Sequence, residues 1–197
     1  HDIKLINNDP VTILDRANKT VITESGQSFE YDQCIIATGS KAFVLPIPGS
    51  DLPSVIGWRT IDDTKRMMEI AQTKQKAIVI GGGLLGLECA RGLLDQGMEV
   101  TVIHLAEWLM EMQLDRKAGQ MLKNDLEQQG MRFELQANTQ EILGDKDVEA
   151  VRLADGRVLE ADLVVMAVGI RPYTEVAKAA GLEVNSCLLY TSDAADE

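Results

Sequence analysis

Lys76-Ala77-Ile78-Val79-Ile80-Gly81-Gly82-Gly83-Leu84-Leu85-Gly86-Leu87-Glu88 decides how the rest of the chain is read. A short apolar run ends in glycines and passes at once into an apolar-periodic segment of good helix formers, the pattern of strand, tight turn and helix. Gly81, Gly83 and Gly86 stand in the spacing G-x-G-x-x-G, and each answers a separate need. Gly81 permits the tight turn, Gly83 lets a pyrophosphate approach the backbone, and Gly86 lets helix and strand pack closely. The helix then offers unpaired N–H groups and the positive end of its dipole to phosphate. Glycine-rich turns alone say little; this one follows a strand and opens a helix, so it reads as a dinucleotide site that includes Leu85.

Downstream, Leu84–Gln96 reads as a helix with Leu84, Leu87, Arg91 and Leu94 at three- and four-residue spacing, stopped by Gly97. Glu99–Ile103 is a strand and completes a β-α-β unit. Asp115–Gln129 reads as a second helix ended by Gly130, and Met131–Leu135 as a third strand. Thr139–Leu143, Val148–Leu153 and Arg157–Glu160 form a meander, with Asp155-Gly156 a hairpin signal. Leu163–Ala167 is a buried strand running into Val168-Gly169-Ile170-Arg171-Pro172.

Upstream, Val11–Leu14, Thr20–Thr23 and Ser28–Tyr31 suggest a small antiparallel meander. Cys34–Ala37 is apolar on both faces, as a buried parallel strand should be. Pro46, Pro48, Gly49 and Pro53 mark a loop, and a helix spans about Thr60 to Ala71 with Asp62 and Asp63 near its start. The polar Thr73-Lys74-Gln75-Lys76 connection is the expected domain boundary. The two halves echo each other: each has a meander, an acidic residue (Asp32, Asp162), an apolar strand and a glycine turn (Ala37-Thr38-Gly39, Ala167-Val168-Gly169). That shared order suggests two related nucleotide-binding domains, the first lacking its opening strand.

The 197 residues suit one or two domains, and 45% hydrophobic with 25% charged residues is ordinary for a globular protein. A formal charge of −12 and no basic stripe argue against nucleic acid, and no apolar run approaches membrane-spanning length. Without an initiator Met or a signal peptide, the chain is expected to begin inside a longer protein. Cys34, Cys89 and Cys187 form no C-x-x-C; Cys34 and Cys89 read as small buried thiols, and a cytoplasmic, reducing compartment fits them. Cys187–Glu197 follows no pattern of the preceding fold, and one back-translation of it resembles a sequencing adapter, so it reads as a non-native tail. Without its Asp193, Asp196 and Glu197 the charge is −12 + 3 = −9. The sequence shows no acid–base pair, nucleophile triad or metal set, and Met110–Met112 reads as packing or loop material.

Ala37-Thr38-Gly39-Ser40, the Gly81–Glu88 turn and Ala167-Val168-Gly169-Ile170-Arg171-Pro172 occur in the order of the two-dinucleotide flavoprotein reductases. With Val102-Ile103-His104-Leu105, Leu109-Met110-Glu111 and Gln113-Leu114-Asp115, the chain resembles the large subunits of NAD(P)H-dependent nitrite reductase, within the FAD/NAD(P)-dependent pyridine nucleotide-disulfide oxidoreductase superfamily. The resemblance implies an α/β fold: a Rossmann-like NAD(P)-binding domain with a β-meander, preceded by part of a second, FAD-binding Rossmann-like domain. Residues 1–75 would be the C-terminal part of the first FAD-binding segment, 76–186 the NAD(P)H-binding domain, and 187–197 the tail. NAD(P)H would pass a hydride to FAD, and the electrons would leave singly for an iron–sulfur cluster and siroheme in a downstream region that reduces nitrite to ammonia. The alternatives are a reductase feeding ferredoxin or rubredoxin, and an NAD-binding redox-sensing module without turnover. The resemblance also allows a homodimer for the full-length form.

By the same resemblance, Thr38 and Gly39, flanked by Ala37 and Ser40, take the turn beside FAD, and Val11 the position whose backbone meets the adenine. Arg59 corresponds to a flavin-contacting arginine. Glu88 takes the position of a glutamate at the flavin–nicotinamide contact, or is a helix-surface carboxylate. Leu84 stands where some relatives carry an aromatic lid, or is core. Gly169, Ile170 and Arg171 match the loop beside the nicotinamide. His104 occupies the strand end where NAD enzymes carry an acidic residue for the ribose hydroxyls, with Glu107 three residues on. It could bond the hydroxyl, tolerate a 2′-phosphate if protonated, or be an ordinary strand-end residue. NADH versus NADPH stays open, with the lack of clustered Arg and Lys favouring NADH. With its first glycine turn and later flavin-closing segment missing, the fragment is expected to retain little or no FAD.

Overall fold

A computed structural model of the chain describes residues 3–185, so the expected tail at 187–197 lies outside the described residues. In chain order the strands are β1 (Val11–Asp15), β2 (Thr20–Thr23), β3 (Ser28–Glu30), β4 (Ser40–Ala42) and β5 (Val55–Gly57). Helix α1 (Ile61–Ala71) leads to β6 (Lys76–Ile80), α2 (Leu84–Asp95), β7 (Glu99–His104), α3 (Arg116–Gln128) and β8 (Arg132–Leu135). Then come β9 (Thr139–Leu143), β10 (Ala150–Leu153), β11 (Val158–Glu160), β12 (Leu163–Met166), β13 (Ile170–Pro172) and α4 (Glu175–Ala179). The chain divides into two compact units, one made of residues up to Lys41 and from Ile170 onward, the other Ala42–Gly169.

The smaller unit holds the antiparallel meander β1-β2-β3, with Asp15 closing its first turn by accepting from the Asn18 backbone N–H at 3.0 Å. Helix α4 packs on β1, and Leu14 is buried. Residues 34–37 depart from expectation. They form no strand, Cys34 is exposed, and Ile35 is 92% exposed. An apolar run becomes a buried parallel strand only when neighbours pair with both of its edges, and no strand among the described residues pairs with this one.

The larger unit is built on a five-stranded sheet in the order β5-β12-β6-β7-β8, parallel throughout. Its central strands are apolar on both faces because both are covered. Ala77, Val79, Leu163, Val165, Val100 and Val102 point to one core cluster, with Met67 of α1 and Cys89, Ala90 and Leu93 of α2. Their neighbours Ile78, Ile80, Val164, Met166 and Ile103 point to a second, with Ile142, Val151 and Leu153 of the meander β9-β10-β11. The two-residue period of a strand therefore alternates core with core. Thr60 and Asp63 form a capping box at α1, and Asp115 caps α3 by accepting from Ala118 N–H at 2.8 Å.

The boundary expected at Gln75–Lys76 falls inside this unit, because β5 pairs with β12 and α1 packs into the same core. Strands β4, β5 and β13 are three residues each, too short to show a period, and went unread in the sequence. Among the described residues no helix is long and apolar enough to cross a membrane.

Candidate functional site

Strand β6 delivers the chain to the glycine turn, and the three motif glycines do three different things. Gly81 has φ of +119°, and a Cβ there would stand 2.4 Å from the Ala167 carbonyl oxygen, so the turn lies tight against the end of β12. At Gly86 a Cβ would stand 1.9 Å from the Gly81 carbonyl oxygen; helix α2 rests directly on the turn. At Gly83 a Cβ would meet nothing within 4 Å. Packing does not require that glycine, and open space over its backbone is what a close-approaching ligand needs. Gly83 is also the N-cap of α2 with no side-chain cap bond, so the first-turn N–H groups stay available to an acceptor.

Gly82 is held from both sides. Its N–H donates to His104 Nδ1 at 3.1 Å, and its carbonyl accepts from Met110 N–H at 3.0 Å. Since Nδ1 accepts, the ring proton sits on Nε2, which donates to Glu111 Oε2 at 2.8 Å. His104 is buried, and both of its ring nitrogens are engaged within the protein. The arrangement leaves neither nitrogen for a ribose hydroxyl, and a proton on Nδ1 would set it against the Gly82 N–H donor. Glu107 pairs instead with Arg116 at the start of α3.

Gly81, Gly82, Gly83, His104 and Glu111 line a cavity of about 450 Å³ at the carboxyl ends of β6, β7 and β12. In parallel α/β sheets that edge is where ligands bind, where the strand order reverses. Thr139 lines the same cavity and carries a buried hydroxyl without a hydrogen-bond partner. An open glycine backbone, an uncapped helix start and an orphaned hydroxyl in a cavity of this size fit a dinucleotide.

The remaining candidates lie elsewhere. Arg59 and Leu85 share a separate cleft with Trp58 and Thr64. Leu84 is 55% exposed on the first turn of α2 rather than core. Glu88 is exposed, one turn along, at a cleft with Trp58, Met67 and Cys89. In the smaller unit, Thr38 Oγ1 donates to the Tyr173 carbonyl at 2.6 Å and the Gly39 carbonyl accepts from Tyr173 N–H at 3.0 Å, tying that turn to the chain after β13. Gly39 has φ of +71° with open space beside it, and Ala37 is exposed. Val11, Ile170 and Arg171 are exposed and Ser40 is half-buried; Gly169, the last residue of the larger unit, is exposed with φ of +113°.

Both described cysteines are free. Cys34 is exposed rather than buried, while burial pushes the Cys89 thiol up to about 12, which keeps it protonated. Asp155 and Asp162 are turn and strand-end residues: Asp155 accepts from Arg157 N–H at 3.0 Å, and Asp162 from Lys76 N–H at 2.8 Å. The sequence reading missed Glu111 and Thr139 as cavity residues. The only hint of Glu111 lay in the Leu109-Met110-Glu111 signature.

The pattern of the pyridine nucleotide-disulphide oxidoreductases matches residues 1–189. The chain belongs to that family. Its members are flavoproteins that bind FAD and NAD(P)H. Among similar proteins, nitrite reductase [NAD(P)H] from Bacillus subtilis is 54% identical over 185 residues, covering 94% of this chain and 23% of the relative. The assimilatory nitrate reductase electron transfer subunit of the same organism is 45% identical, covering 94% of the chain and 24% of the relative. The chain thus spans about a quarter of the length of these relatives. A ferredoxin reductase from Rhodopseudomonas palustris shares the fold with a TM-score of 0.86 at 32% identity, over 90% of this chain and 44% of that one.

Proposed function

We propose that this chain is the nicotinamide-binding part, with a portion of the flavin-binding part, of a reductase that moves a hydride from NAD(P)H to FAD. The observation behind this reading is the open backbone at Gly83, at the head of an uncapped helix and beside a cavity of about 450 Å³. When bound, FAD accepts the hydride, two electrons with one proton, and releases the electrons one at a time. The chain's residues position rather than react. Gly81 and Gly86 fix the turn, Gly83 and Leu85 with the first N–H groups of α2 would hold the pyrophosphate, and Leu84 and Glu88 would serve the nicotinamide end. Ala37, Thr38, Gly39, Ser40, Val11 and Arg59 are assigned to FAD, and Gly169, Ile170 and Arg171 to the nicotinamide end.

In the intact enzyme we place an iron–sulfur cluster and siroheme beyond this chain, with nitrite reduced to ammonia there; the likeness to the Bacillus nitrite reductase supports this. A cytoplasmic location and a homodimer accompany that reading. A second reading, electron delivery to a small carrier protein, is favoured by the likeness to a ferredoxin reductase. Anaerobic assays of the intact protein decide. Dye reduction by NADH or NADPH together with ammonia from nitrite supports the first reading. Dye and ferredoxin reduction without nitrite consumption supports the second. No dye reduction with either nucleotide contradicts both and leaves a binding module without turnover.

A further inference from the structure

We infer that Glu111, set in place by His104, is the carboxylate that reads the adenosine ribose, and that it makes the site selective for NADH over NADPH. The inference rests on the nicotinamide-dinucleotide reading of the cavity and extends it to a choice of substrate. Dinucleotide sites of this topology commonly place an acidic residue at the end of the second strand, where its oxygens accept from the ribose 2′-hydroxyl. Here that position holds His104, whose ring nitrogens are both engaged. The acidic group is supplied from seven residues further on.

Three features put it there. The loop after β7 folds back so that Met110, at φ of +55°, donates to the carbonyl of Gly82, inside the glycine turn. A left-handed conformation at a side-chain-bearing residue costs roughly 1 to 2 kcal/mol, so the return of the loop is held by its surroundings. The chain Gly82 N–H to Nδ1 and Nε2–H to Oε2 then orients the carboxylate through a single histidine tautomer. Finally, Glu111 Oε2 is taken by His104, while Oε1 has no protein partner among the described residues, and the side chain is 34% exposed at the cavity that Gly83 lines.

A carboxylate with one free oxygen suits a sugar hydroxyl, which donates. It repels a 2′-phosphate, which brings its own negative charge and no donor. None of the residues lining the cavity is Lys or Arg, and Arg116 is already paired with Glu107. His104 is therefore a positioning residue and Glu111 the specificity residue.

The test is calorimetric titration of the 197-residue chain with NADH and with NADPH. NADH is expected to bind about 10- to 100-fold more tightly, the range of one hydrogen bond to a charged group. Glu111→Gln removes the charge and keeps the length. It should weaken NADH about tenfold, leave NADPH unchanged or tighter, and so collapse the ratio. His104→Asn keeps an acceptor where Nδ1 stands and removes the donor to Glu111, and should move the ratio the same way by a smaller factor. Equal affinities in the parent chain, or a Glu111→Gln variant that weakens both nucleotides alike, overturn the inference while the dinucleotide reading stands. Binding of neither nucleotide to the parent chain refutes the dinucleotide reading itself.

Discussion

Asp162-Leu163-Val164-Val165-Met166-Ala167-Val168-Gly169 and Asp32-Gln33-Cys34-Ile35-Ile36-Ala37-Thr38-Gly39 share one order, an aspartate, an apolar run and a glycine turn, with Asp, Ala and Gly at the same places. In the first, Asp162 accepts from the Gln75 and Lys76 backbone N–H groups, and Leu163–Met166 lies between β5 and β6 with Val165 fully buried. In the second, Ile35, the counterpart of Val165, is 92% exposed and the run forms no strand. Matching residues have taken opposite environments. The difference teaches that a buried parallel strand is a property of its neighbours: the apolar pattern permits it, and a strand hydrogen-bonded to each edge makes it.

The largest expected effect concerns flavin. Because the turn at Thr38–Gly39 follows an unladdered run, the chain should purify with far less than one FAD per polypeptide, read from flavin absorbance against protein. A stoichiometric yellow protein would break the comparison. Next, Gly86→Ala drives a Cβ into the Gly81 carbonyl and should cost roughly 3 kcal/mol or prevent folding, while Gly39→Ala meets open space and pays only for its positive φ, about 1 kcal/mol. Val165→Ala should cost about 2 kcal/mol from lost burial, against less than about 0.5 kcal/mol for Ile35→Ala, both from denaturant unfolding. Equal costs would show that the two runs share an environment after all.

The smallest effect is a pH dependence. Asp147 accepts from Ser54 N–H at 3.1 Å and pairs with Lys74, which also donates to the Asp162 carbonyl at the head of the closed run. Burial alone would raise its pKa, but these hydrogen bonds and that of Val148 hold it down at about 2, below the ordinary 3.8. A depressed folded pKa gives stability that is complete above about pH 4 and disappears as pH falls through about 2. Asp147→Asn should therefore be less stable than the parent at pH 7, with the gap closing across that window. The carboxylate is partly exposed, so the gap should be modest.

Much of this was legible in the sequence. The glycine turn, the β-α-β unit, both meanders and the capped helices follow from period, turn chemistry and caps, which are local. Val55-Ile56-Gly57 was not legible, since three residues carry no period and its role depends on β12, more than a hundred residues away. His104 was located by spacing, but its partners were not: one is a backbone N–H 22 residues earlier, the other a carboxylate in an aperiodic loop. Glu107, three residues past His104, pairs with Arg116, whereas Glu111, in the loop whose return no periodicity marks, lines the cavity.

The central claim is that the glycine turn is a ligand cradle and not merely a way to pack a helix on a strand. Gly83→Ala tests it directly, because the added methyl meets no protein atom and the backbone φ of −83° suits any residue. NADH affinity should fall at least about tenfold while unfolding stability changes by about 1 kcal/mol or less, the scale of an altered N-cap. Unchanged NADH affinity in a stable Gly83→Ala chain would contradict the account.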